Sequence, residues 1–377
     1  MKKKVVIAGA GFGGLEISSI LSESLGDQLD LTLIDQNDSF FFGFSKLDVL
    51  FGLKSAEAVK IPYSHINKPG VKFRQEVITA IDPVKKTITT VAEKYEADVL
   101  VIALGANYDF DATPGLSDAG NEYYSFAGAE KLREELPQFK KGDVIVGVCG
   151  APFKCPPAPS EGALMLHDYL TRQGIREACT ITLVMPFGLP IPPSPDTSKA
   201  LLKAFRERAI KFVPHRKIIS LSGFRKMALL DDGSELPYDL FMGIPKHVAP
   251  DVVLDSGLAE EGWIPVHRSN LSTKFPGVYA VGDVTSVGTP KAGIFAEGAA
   301  KIAAAAIIAS FKGEKYDTAY SGAGSCYIEY GKGQVGRVDV DFFSGPGPVG
   351  IHHEPSAAMV ADKEHFGSSR RARWFGL

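Results

Sequence analysis

Cysteine is scarce: this sequence holds only Cys149, Cys155, Cys179 and Cys326 among 377 residues. Their spacing contains neither a C-x-x-C pair nor a zinc pattern, which excludes a disulfide-built scaffold. Any disulfide here is expected to be redox-active rather than structural. An excess of charge is also missing, with 41 Lys and Arg against 44 Asp and Glu. The net charge of −3 leaves no electrostatic footprint for nucleic acid. The longest apolar stretch, Ile302 to Phe311, falls short of the ~20 residues needed to cross a bilayer. No hydrophobic leader precedes the first apolar run, because Met1-Lys2-Lys3-Lys4 leads straight into it, so no cleaved signal is expected. These features predict a cytoplasmic protein, or one peripheral on the cytoplasmic membrane face. The histidines, His352 and His353 included, show no ligand spacing, and no metal is expected.

What the sequence does have is glycine at informative positions. Lys4 to Asp35 reads KVVIAGAGFGGLEISSILSESLGDQLDLTLID: an apolar run, a glycine turn, a helical segment and a second apolar run. Gly9, Gly11 and Gly14 fill the pattern G-x-G-x-x-G, and Asp35 closes the second run 21 residues after Gly14. In a dinucleotide-binding βαβ unit the first glycine permits the tight turn. The second lets the backbone approach a pyrophosphate, and the third lets helix and strand pack closely. The helix N-terminus then offers free N–H groups to the phosphates. Asp35, a carboxylate rather than an arginine, suits an unphosphorylated ribose.

The chain continues with an aromatic loop from Phe40 to Gly52. Val71 to Arg74, Ile81 and Thr87 to Val91 alternate like a small antiparallel ribbon. Asp98 to Leu104 reads as a buried strand turned by Gly105, and Ala129 to Phe139 as a helix. A second βαβ unit follows, with a strand over Asp143 to Val148, a helix over Glu161 to Leu170 and a strand over Thr180 to Met185. Its turn lacks a glycine fingerprint and reads CGAPFKCPPAPSE instead. Pro152, Pro156, Pro157 and Pro159 remove backbone donors that a pyrophosphate would need. The unit keeps its topology, loses its nucleotide and gains a cysteine. Beyond lie a proline-rich linker (Pro190 to Pro195), a helix (Ser198 to Ala209) and a hairpin around Asp232-Gly233. A strand ending at Gly282-Asp283 precedes an alanine-rich helix from Ile294 to Ile308. After Tyr316 the composition shifts to glycine, proline and aromatic residues.

The opening fingerprint, Leu100 to Gly105 (LVIALG) and Val278 to Asp283 (VYAVGD) resemble the three FAD-contact segments of the two-dinucleotide-domain flavoprotein disulfide reductases. Phe153 to Glu161 (FKCPPAPSE) and Ser325-Cys326-Tyr327 resemble a narrower group. These are the sulfide:quinone oxidoreductases and the flavoprotein subunit of flavocytochrome c sulfide dehydrogenase. The resemblance implies an α/β fold with two Rossmann-like domains. The FAD domain would comprise residues 1–108 and 236–316, with the second domain over 109–235 carrying the redox cysteine loop. A segment over 317–377 would face quinone and membrane. The implied activity is oxidation of sulfide, or sulfane sulfur, with electrons passed through FAD to a quinone. The alternatives are an NAD(P)H-dependent flavoprotein of the type II NADH dehydrogenase kind and a sulfide-sensing flavoprotein without turnover.

Residue by residue, the resemblance places FAD contacts at Gly9, Gly11, Phe12, Gly13, Gly14, Asp35, Gln36, Phe44, Val77 and Gly105. Further contacts fall at Gly282, Asp283, Lys291 and Gly293, where Asp283 would bond the ribityl chain. The helix beginning near Gly293 would aim its positive end at the flavin, with Lys291 adding a full charge. Cys155 and Cys326 would be the redox pair, one accepting sulfide as a persulfide and the other standing close to the flavin. Each also fits the commoner role of a small buried hydrophobe. Glu161 would handle protons near Cys155, or serve only as a helix-start acid. Tyr327 and Phe295 would flank a quinone ring. Gly43 stands where flavocytochrome c carries its flavin-linking cysteine, so FAD is expected to be noncovalent. No third cysteine follows the Gly105 turn. Lys363 to Leu377 mixes cations with aromatics, which suits anionic lipid or a tail docked on its own FAD domain. The sequence leaves a homo-oligomer open.

Overall fold

The computed structural model describes residues 2–316 and 318–377. Five parallel strands form the first sheet, in the order Val278–Ala280, Val99–Ile102, Lys3–Ala8, Leu29–Asp35, Val71–Gln75. Val5, Val6, Ile7 and Ala8 are all buried, as a strand covered on both faces requires. One face carries the helices Phe12–Leu25 and Gly293–Lys312. The other carries an antiparallel meander of Ile78–Asp82, Thr87–Thr90 and Lys94–Glu96. The expected ribbon is thus corrected at its start. Val71–Gln75 pairs in parallel with Leu29–Asp35, because the half-exposed edge of a parallel sheet alternates just as a hairpin strand does.

The second sheet is also parallel, in the order Asn121–Glu122, Leu240–Ile244, Gly142–Val148, Cys179–Val184, Ile210–Val213. Leu240–Ile244 lies beside Gly142–Val148, so a domain boundary at residue 236 cuts a strand from its own sheet. That strand is an unbroken apolar run, LFMGI, which carries no signal of its partner. The chain leaves and re-enters the first domain side by side, through the antiparallel pair Asn107–Asp109 and Lys246–Val248.

Helix Gly293–Lys312 is longer than the apolar stretch seen in the sequence, and by length and composition it could cross a bilayer. Ala299, Ala300, Ala303, Ala304 and Ile307 are nevertheless buried in the first domain's core. The C-terminal segment builds an antiparallel sheet of Gly324–Gly331, Gln334–Asp341 and Val349–Ser356, then a helix, Ala357–Phe375, capped by Ser356. This helix docks on the FAD domain. Arg370 meets Glu297 at 2.7 Å and Arg373 meets Glu16 at 2.8 Å, while Lys363 ties the helix to its own sheet at Glu329, 2.5 Å away. Trp374 is fully buried and its Nε1 donates to Glu16 at 2.8 Å. Of the two readings of this tail, the docked one describes Arg370, Arg373 and Trp374, which meet the buried carboxylates of Glu297 and Glu16.

Removing that anchor should be costly. Trp374→Ala leaves a cavity and takes from buried Glu16 its indole donor, with Arg373 still in place, and is expected to lower stability by about 3–5 kcal/mol in urea unfolding. Phe224→Ala, at a fully exposed hairpin tip, should leave the midpoint unchanged.

Candidate functional site

The glycine turn has a shape set by three close approaches and one opening. Gly9 has φ +100°, and a Cβ there would lie 2.4 Å from the Ala103 carbonyl oxygen. A Cβ on Gly14 would lie 1.9 Å from the Gly9 oxygen, and one on Gly13 would lie 2.7 Å from Val281. Gly11 is different: a Cβ there would meet nothing within 4 Å, so its backbone faces open space at the start of helix Phe12–Leu25. A tight cradle with one open glycine at a helix N-terminus fits a pyrophosphate. Asp35 braces the turn, accepting from Ala10 N at 2.8 Å and from Asn37 N at 2.9 Å. The structure therefore gives it a backbone role beside the one expected towards ribose. Gln36 and Val77 lie exposed beyond the ends of strands Leu29–Asp35 and Val71–Gln75.

Opposite the turn, Phe12 packs edge-on against Phe40, Phe42 and Trp374, and a Cβ on Gly293 would meet its ring at 2.6 Å. Phe44 stacks on Phe42 with ring centroids 5.3 Å apart. Gly105 and Gly282 take φ of +69° and +79°, turning the chain after the strands Val99–Ile102 and Val278–Ala280. Burial pushes the Asp283 carboxyl up, against the pull of Lys154, Lys291 and Lys46. Lys291 is not a solvated lysine. Its Nζ donates to the carbonyls of Asp283 at 2.5 Å and Thr285 at 3.4 Å, over the ring of Trp263, and burial lowers its pKa to about 8.

The cysteine loop is tied directly to this region. Cys155 adopts φ +50° and donates its N–H to the Lys291 carbonyl oxygen at 2.7 Å. Its own carbonyl accepts from Ala158 N, which opens helix Ala158–Arg172. Strand Gly324–Gly331 packs on that helix and brings Cys326 to the same cluster. Glu161, in the helix's first turn, is buried, and its Oε1 accepts from Glu329 N at 3.1 Å. Both thiols are half-buried. Burial pushes the Cys155 thiol well up, assisted by Glu161 and Cys326, and pushes Cys326 up to about 12. The structure thus brings Cys155, Cys326 and Glu161 together. All four cysteines are free thiols, and Cys149 and Cys179 are buried at strand ends.

The expected aromatic pair has separate ring neighbours. Phe295 is buried against Phe342, whereas Tyr327 packs on Phe366 and donates to Asp362 at 3.0 Å. Sequence reasoning also passed over Lys46, Lys154, Tyr124 and His247. Only Lys154, adjacent to Cys155, carried any signal in the sequence.

Residues 3–307 match the pyridine nucleotide-disulphide oxidoreductase family. The chain belongs to that family. It is a flavoprotein oxidoreductase, its cofactor is FAD, and the cradle around Gly11 fits that cofactor. Among its relatives is the mitochondrial sulfide:quinone oxidoreductase of Mus musculus, 25% identical over 361 residues, covering 91% of this chain and 79% of that one. The solved sulfide:quinone oxidoreductase of Aquifex aeolicus superposes with a TM-score of 0.87 at 22% identity, over 98% of this chain and 91% of that one. A type II NADH:quinone oxidoreductase of Staphylococcus saprophyticus is 29% identical over only 137 residues, 36% of this chain and 34% of its own.

Two consequences can be measured. Gly14→Ala forces a Cβ into the Gly9 oxygen, so the purified protein should lose its flavin absorbance. Burial, opposed by Lys363, raises Glu161 from 4.5 to about 7, so the folded state binds more protons between those values and stability falls as pH rises through them. Glu161→Gln should flatten that fall, read as melting temperature against pH.

Proposed function

We propose that this chain oxidises sulfide at the Cys155–Cys326 pair and passes the electrons through FAD to a quinone. The observation that carries this reading is the bond from Cys155 N to the Lys291 carbonyl, which fixes the thiol loop against the flavin-side turn while Glu161 and Cys326 lie close enough to act on its thiol. Sulfide:quinone oxidoreductases among both the curated relatives and the solved structures support it.

In the oxidised enzyme the two thiols would form one disulfide. Hydrosulfide attacks one sulfur, a new S–S bond forms as a persulfide, and the old bond breaks to leave the other sulfur as thiolate. Release of the sulfane sulfur and of two electrons restores the disulfide. Bound FAD supplies the two-electron acceptor for that step. Burial makes thiolate formation costly here, and the field of Lys46 offsets part of that cost at Cys155. Glu161, near neutrality in its pKa, is placed to take and return the proton.

The cysteine loop argues against NADH as donor. Pro157 and Pro159 leave the N-terminus of helix Ala158–Arg172 short of donors for a pyrophosphate, and Glu161 adds a carboxyl to its first turn. Peripheral contact with a membrane follows from a lipid-soluble acceptor. It would use a surface other than the docked C-terminal helix, whose Arg370 and Arg373 are already paired.

Anaerobic stopped-flow mixing tests the proposal. Sulfide should bleach the flavin, decylubiquinone should restore it, and Cys155→Ser should abolish bleaching. Unchanged bleaching in that variant, or rapid reduction by NADH but not by sulfide, would sink it.

A further inference from the structure

Beside Cys155 lies a second set of groups that the disulfide chemistry does not use. Lys154 Nζ donates to Tyr108 Oη at 3.3 Å and lies 4.6 Å from that ring's centroid. Tyr108 Oη donates to the Tyr124 carbonyl oxygen at 2.6 Å, and Lys46 Nζ donates to the same oxygen. Two ammonium groups are therefore joined through one phenol and one carbonyl. His247 stands edge-on to both tyrosine rings, at centroid distances of 4.9 and 5.5 Å. Its Nδ1 is bonded to the Pro245 carbonyl at 2.8 Å, which leaves Nε2 without a partner. Tyr124 Oη has none either. His247 and Tyr124 are only 2% and 3% exposed, so neither orphaned atom is served by bulk water.

The charges are set apart as well. Among the described residues, Lys46 and Lys154 hydrogen-bond only to neutral oxygens, and the carboxylates that act on both, Glu122 and Asp283, form no ion pair with either. A cation held out of water with its counter-ions beyond contact is costly, so such a pair favours an anion placed directly against it. The nearby thiol is that of Cys155, whose charge and that of Lys46 act on each other. Burial together with the repulsion of Lys154 brings Lys46 down to about 8. The pattern of free valences is specific. Two ammonium groups and a phenol can donate, while the bare Nε2 of His247 can only accept. An anion that carries one proton of its own completes this set, and hydrosulfide is such an ion.

We propose that Lys46, Lys154, Tyr124 and His247 form an anion subsite that holds hydrosulfide beside Cys155 before it attacks. The ammonium groups and the Tyr124 hydroxyl bind the sulfur, and its S–H donates to His247 Nε2. This assignment rests on the sulfide reading above, so its test includes an arm independent of turnover. Holoenzyme whose Cys155–Cys326 disulfide has first been opened with a phosphine reductant is alkylated with iodoacetate and, in parallel, with iodoacetamide, and modification is followed at each cysteine by peptide mass. The two reagents differ in charge alone, and neither requires flavin reduction.

In the unmodified sequence, Cys155 should favour iodoacetate severalfold more than Cys326 does. Lys154→Met and Lys46→Met should each remove that preference, and Lys154→Arg should keep it. The same methionine variants should raise the sulfide concentration that half-saturates flavin bleaching while reoxidation by decylubiquinone keeps its rate. An equal reagent ratio at Cys155 and Cys326 would overturn the subsite without any variant needing to fold. So would a ratio unmoved by either methionine. A retained iodoacetate preference in an enzyme that sulfide does not bleach would instead overturn the sulfide reading, and hydrosulfide as the ligand with it.

Discussion

One hydrogen bond, from the Cys155 amide to the Lys291 carbonyl, joins the two halves of this enzyme's chemistry. Cys155 belongs to the second domain's first βα turn, and Lys291 to the segment that leads into a helix of the FAD domain. In the proposed reaction the Cys155 thiol exchanges electrons with the flavin and has to be held within contact of it. Here the backbone does the holding, leaving the side chain free to react. The positive φ of Cys155 is the cost of that arrangement, since a non-glycine residue rarely rests there. The prolines around it stiffen the loop in that shape.

The C-terminal segment completes the site from the other side. Its first strand brings Cys326 over helix Ala158–Arg172, and its helix locks the segment down through buried ion pairs. Glu16 and Glu297 sit inside helices of the FAD domain, where an unpaired carboxylate would be strongly destabilising. Arg373, Trp374 and Arg370 supply the missing partners. The position of Cys326 thus depends on contacts made about fifty residues later in the chain. Phe12 links this clamp to the cofactor turn, because Trp374 packs on the ring that lies between Gly11 and Gly13.

Much of this was legible in the sequence. The glycine turn and the second βαβ unit without its fingerprint follow from local spacing and residue type, whereas the choice of Cys155 and Cys326 rests on a resemblance to a family. What escaped has physical reasons. Val71–Gln75 alternates like a hairpin strand because one edge faces solvent, and LFMGI at 240–244 gives no sign of which sheet it joins. The C-terminal cations were ambiguous because their partners, Glu16 and Glu297, look like ordinary surface acids in helical segments. Lys46, Tyr124 and His247 lie far apart in sequence, and no periodicity signals their meeting. Sites assembled across domains are written in the tertiary structure, and only their anchors show locally.

The split of the FAD domain also sets an order of assembly. Every strand of the second sheet lies within residues 121–244, whereas the first sheet receives its edge strand, Val278–Ala280, only after all of these. During synthesis the inserted domain can therefore mature while its host is still an open half-sheet. Closure of the host then awaits pairings of long sequence separation, the slow kind, with the docking helix arriving last. Flavin capture would fall late in that sequence, and a chain stalled before it would present the apolar faces of Val99–Ile102 and Phe12–Leu25 to chaperones.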